Sequence, residues 1–225
     1  MIPRKSVWLL TAALVCPAMA WCAPKPHVVA LGAAHREPYS TESDPAGAKK
    51  DESEIRVRPL VVDGRVKEWT TGEVHDVTDR SFAVRRAMRL NDTLPTERAE
   101  RWVWQRGPWL LVDRTTGKVT TLRLPDFDPA VSEAVWFRDY AAYCGVNASG
   151  KDLMAVVAQV AARKPLLARK MGAWDAVDHP EPACAPAVWQ RNPLKVSFQP
   201  TGAETVSFDL VGTSAVLVED DEDSQ

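Results

Sequence analysis

The residues best suited to chemistry fall into a few groups, and spacing limits what each can do. Gly145-Val146-Asn147-Ala148-Ser149-Gly150-Lys151 satisfies the G-x-x-x-x-G-K pattern of a phosphate-binding loop. Such a loop turns backbone N–H groups toward the anion and follows its lysine with a hydroxyl for magnesium. Here Asp152 follows instead. Its carboxylate would repel the phosphates, so the stretch reads as a hairpin turn. The histidines, at 27, 35, 75 and 179, include no H-E-x-x-H or other two-histidine zinc spacing. Two of them have acidic neighbours: His75 lies with Glu73, Asp76 and Asp79, and His179 with Asp175, Asp178 and Glu181. Carboxylates and one imidazole ligate a divalent cation where loops converge, which makes His75, Asp76 and Asp79 the candidate metal ligands. Polar turns between strands explain both clusters without a metal. Pro180 and Pro182 mark the second cluster as an extended loop and the weaker candidate.

Nucleophilic chemistry has less support. The chain has no G-x-S-x-G elbow and no S-x-x-K pair. Cys144 and His179 would make a thiol and its base only across a long stretch, and a disulfide competes for the thiol. No catalytic residue is assigned and no cofactor is implied. The reading is a protein that binds rather than catalyses. The alternative is a hydrolase with dispersed residues, using His75 or His179 with nearby carboxylates.

Binding residues are easier to name. The chain has nine tryptophans against three tyrosines and five phenylalanines. Trp102 and Trp104 share a strand face, and Trp109 follows Gly107-Pro108. If that dipeptide turns the chain, the three rings meet across two strands and form a platform for a glycan or another flat ligand. Buried, the same rings fill a β core. Arg85, Arg86 and Arg89 lie on a strand-like run, with Arg85 and Arg89 on one face and Arg86 on the other. A divided patch reads as solvated β-surface. With a net charge of −2, it argues against nucleic acid as a partner. The expected partner is an unidentified protein, small molecule or glycan.

The elements that must position these residues follow from patterning. The chain has 225 residues, 45% of them hydrophobic, enough for one ordinary domain. Residues 1–20 have the three parts of a secretory signal: basic Arg4 and Lys5, an apolar run from Val7 to Val15, and Ala18-Met19-Ala20 as cleavage site. The apolar run is too short to span a bilayer, and no other segment is long enough, so no membrane span is expected. The compartment is therefore secreted or periplasmic. Cys16 leaves with the signal, and Cys144 and Cys184 are the expected disulfide, with Cys22 odd. Residues 21–54 read as an N-terminal segment and flexible linker, residues 55–218 as a mainly β domain, and residues 219–225 as a solvated acidic tail.

Within the domain, Asp63-Gly64 separates two strand-like runs, the strongest short hairpin signal. Trp109 to Leu122 and Val196 to Leu210 make two further hairpins. Residues 152–164, DLMAVVAQVAARK, fit helix or buried strand by periodicity, and the strand-like neighbours favour strand. The layout of residues 129–172, with WLLVDRTTGKVTTL, resembles single blades of β-propeller proteins. The expected fold is mainly β, with antiparallel hairpins and meanders forming a sandwich or a partial, propeller-like stack.

Overall fold

The structure is a computed structural model that describes residues 27–39, 54–175, 184–212 and 214–218. Strands β1 (Val29–Leu31) and β2 (His35–Pro38) pair with successive stretches of β3 (Glu54–Val62). The same sheet continues through β4 (Arg65–Asp76), β5 (Ser81–Asn91), β6 (Trp102–Asp113) and β7 (Val119–Thr121), seven strands in all. A second sheet has the order β11 (Leu167–Ala173), β10 (Asp152–Gln159), β9 (Tyr140–Val146), β8 (Val135–Phe137). The third is a meander of β12 (Cys184–Gln190), β13 (Lys195–Pro200), β14 (Val206–Val211) and β15 (Ser214–Leu217). Among the described residues the fold is all-β, with every pair of strands antiparallel and no closed barrel, a sandwich-like stack of three sheets. Two sheets are four-stranded meanders like the blades that 129–172 resembles, but WLLVDRTTGKVTTL joins the larger sheet as β6 and β7.

Local chemistry sets the turns. Asp63 and Gly64 both take positive φ, 52° and 75°, and Val62 pairs with Arg65 across them. That is the backbone a two-residue type I′ turn requires. At the phosphate-loop pattern, Asn147 Oδ1 accepts hydrogen bonds from Ser149 Oγ and from the Lys151 and Asp152 amides. The motif is a side-chain-stapled turn between β9 and β10. Its first glycine serves packing: a Cβ on Gly145 would lie 2.2 Å from the Asp126 carbonyl oxygen, which accepts the Val146 N–H.

The second sheet is the middle layer. Ala142 and Cys144 of β9, with Leu153, Ala155 and Val157 of β10, face Val196, Phe198, Phe208 and Leu210 of the third sheet. Ala141, Tyr143, Val156 and Ala158 point the other way, onto Ala83 and Trp109 of the first sheet. A strand covered on both faces is apolar throughout, which is why DLMAVVAQ lacked a clear period and is strand. Cys144 and Cys184 meet in this core at disulfide distance, with Cα atoms 6.0 Å apart, tying β9 to β12.

Tyr143 is fully buried, and its hydroxyl donates to the Pro125 carbonyl at 2.5 Å. Burial, aided by the Asp126 carboxylate, raises its pKa well above the ordinary phenol value. Its contribution to stability is therefore fully present below about pH 10 and lost as pH rises further. Alkaline titration followed by phenolate absorbance is expected to leave one of the three tyrosines un-ionised until the chain unfolds. Complete, reversible ionisation of all three in the folded chain would contradict the burial.

Two expectations change. Within residues 21–54, read as an N-terminal segment and flexible linker, His35–Pro38 form β2 and pair with Glu54–Val57, and Arg36 Nη1 lies 3.3 Å from Glu54 Oε2. Edge pairing needs backbone groups rather than apolar side chains, and Tyr39 then packs on the core at Ile55, Val57 and Ala87. Gly107-Pro108 is no turn either: it lies inside β6, where the chain runs straight through. The signal segment, Cys16, Cys22, His179 and the acidic tail lie outside the described residues. Among the described residues no helix is long and apolar enough to cross a membrane.

Candidate functional site

The site is built on one face of β5 and β6. Directly opposed residues of antiparallel strands point to the same face, and the register opposes Asn91 to Trp102, Arg89 to Trp104, Ala87 to Arg106 and Arg85 to Trp109. Simple alternation would send Trp109 to the face opposite Trp104. A bulge corrects it, because Gly107 and Pro108 together face Arg86. Proline, which has no N–H to pair, fits at such an irregularity. The three sequence-identified tryptophans therefore share a face along one strand, rather than meeting across a turn.

Their environments differ. Trp102 is 45% exposed, with its indole N–H donating to Glu100 Oε2 at 3.1 Å and the Arg89 guanidinium 5.3 Å from the ring. Trp104 is half-buried over Ile55, Val57 and Ala87, and Trp69 from β4, 38% exposed, meets it edge-on at 5.6 Å. Trp109 is only 6% exposed, and it packs edge-on against Trp136 at 5.1 Å. Sequence reasoning missed Trp69. Its cue was the Asp63-Gly64 hairpin, which places β4 beside the strands that carry the other rings.

Further along the same face, at Arg85, Arg106 and Trp109, is a cavity of about 290 Å³. Thr71, Arg85 and Trp109 line it, with Arg106, Arg56 and Tyr39, and the carboxylates of Glu54, Glu73 and Glu133. Arg85 was expected on a solvated surface, but it is only 4% exposed. Its Nη2 donates to the Pro129 carbonyl at 2.8 Å and Nη1 to the Ser132 carbonyl at 3.3 Å. Its guanidinium lies 4.8 Å from the Phe127 ring centre and 5.8 Å from that of Trp109. These groups replace water around the charge. The sequence cue was the small neighbours on its face, Ala83 and Ala87, which leave room for the loop to cover it. Burial first, then the Arg106 charge, push the Arg85 pKa down to about 10, so it stays protonated at neutral pH.

The candidate metal ligands do not converge. Asp76 pairs with Arg114 at 2.5 Å, while His75 hydrogen-bonds through Nε2 to the Arg138 carbonyl oxygen at 2.6 Å and stacks on Trp136. Asp79 lies in the exposed β4–β5 turn. Among the described residues no three His, Cys, Asp or Glu side chains gather as a metal requires. His75 does line a recess, together with Trp136, Phe137, Arg138, Arg191, Asn192 and Leu194. Among the described residues lining it, none is a carboxylate or hydroxyl that could act with the histidine as acid or base. Compared with protein-family models, curated proteins and solved structures, the chain matches none.

Proposed function

We propose that this chain is a non-catalytic binding protein, secreted or periplasmic, that takes a glycan on the indoles of Trp102, Trp104 and Trp69. The observation that carries this reading is the shared face: exposed Trp102 and half-buried Trp104 project from one face of β6, and exposed Trp69 meets Trp104 edge-on. Indoles offer flat apolar area with little rotamer entropy to lose, and sugar C–H faces stack on such surfaces. Arg89 and Glu100 beside Trp102 supply a donor and an acceptor for ring hydroxyls. The signal-like residues 1–20 support the compartment, and the paired Cys144 and Cys184 are compatible with it.

The test is tryptophan fluorescence during titration with soluble neutral oligosaccharides of several linkage types. At least one is expected to bind saturably. Trp102→Ala is expected to weaken it about thirtyfold, the ~2 kcal/mol of a tryptophan hot spot, without moving the thermal midpoint. Failure of the whole panel at millimolar concentration would end the glycan reading.

A further inference from the structure

We propose that the cavity lined by Arg85, Thr71 and Trp109 binds a small organic carboxylate of amino-acid size, carboxylate inward on those three residues and ammonium outward. Three polar atoms carry the argument. Arg85 Nε, Thr71 Oγ1 and Trp109 Nε1 are buried without a hydrogen-bond partner, and their residues are each more than nine-tenths buried and line this one cavity. Native interiors leave few such groups unmet. Here three of the five found among the described residues share a single site. The guanidinium and indole N–H groups only donate, so what satisfies them must accept, and the fixed charge of Arg85 selects an anion. A planar carboxylate matches the arginine edge. Arg106 and Arg56 line the same cavity, so three like charges border a common space that an anion would help neutralise.

The mouth narrows the class further. Glu73 and Glu133 are exposed and line the cavity, together with Glu54, whose carboxylate also pairs with Arg36. They repel a dianion such as phosphate and attract an ammonium group. A zwitterion meets both halves. This site shares no residue with the glycan platform and does not depend on it.

The experiment follows the Trp109 indole N–H resonance of the full, oxidised chain during titration with glycine, acetate, methylammonium and inorganic phosphate. Glycine is expected to shift it saturably, acetate more weakly, and methylammonium and phosphate not at all. No shift with glycine, or an equal shift with phosphate or methylammonium, would overturn the proposal. Thr71→Val keeps the side-chain shape and deletes the unmet hydroxyl. It is expected to weaken glycine binding roughly five- to tenfold while raising the thermal midpoint of the unliganded chain. Unchanged glycine affinity in that variant would overturn the assignment. Trp102→Ala should leave the glycine titration unaltered, which separates this site from the tryptophan platform.

Discussion

Cys184→Ser is expected to destabilise the oxidised chain by about 4 kcal/mol, the chain-entropy value for a closed loop of about forty residues. The cross-link joins β9 in the middle layer to β12 in the third sheet, and both cysteines are buried in the core those sheets share. Without it, the third sheet is held by Val196, Phe198, Phe208 and Leu210 against the middle layer. It also keeps the indole N–H of Trp189, which donates to the Val135 carbonyl at 3.1 Å. Those contacts remain, so the variant still folds, but residues 184–218 should open first. Hydrogen exchange in the third sheet is therefore expected to speed up more than in β5 and β6. Denaturant midpoints of wild type, Cys184→Ser and Cys144→Ala/Cys184→Ala check the magnitude. Equal midpoints would mean that the thiols are not joined. Thiol counting on the denatured, unreduced chain lacking residues 1–20 should find one, Cys22, whereas three would exclude the pair.

How much of this was legible in the sequence depended on the range of the interactions involved. The Asp63-Gly64 hairpin was readable because a type I′ turn makes local demands that two residues meet. The Cys144–Cys184 pairing was readable because few cysteines were left to combine. Residues 152–159 were harder: a strand covered by sheets on both faces has no polar side, and only the stack explains its composition. Gly107-Pro108 misled because the same dipeptide suits a turn or a bulge, and the choice depends on the partner strand. The candidate cavity was least legible. Arg85, Thr71 and Trp109 sit on different strands, and the groups that bury Arg85 come from a loop more than forty residues further along.

Arg85→Met is expected to cost about 2–3 kcal/mol, less than the disulfide but more than a surface substitution. Opposing effects meet at this residue. Burial disfavours the guanidinium, as its pKa lowered to about 10 indicates, and methionine removes that penalty while keeping contact with Phe127 and Trp109. Against this, methionine leaves the Pro129 and Ser132 carbonyls without their donor. A hydrogen bond from a charged donor contributes roughly 1.5–3 kcal/mol, and the one at 3.3 Å lies toward the weak end. The two losses together exceed the desolvation regained, because the guanidinium already has rings and carbonyls in place of water. Arg85→Lys keeps the charge but not the fork, since a single ammonium cannot span both carbonyls as two Nη groups do. It should fall between wild type and methionine. The loss should be local at first: residues 125–134 are pinned to the first sheet through this side chain, so their amide exchange should rise before β5 and β6 loosen. A methionine variant with the wild-type denaturant midpoint and unchanged exchange in that loop would mean that the buried arginine does not hold the loop. Its burial would then have to be explained by the ligand it meets in the cavity.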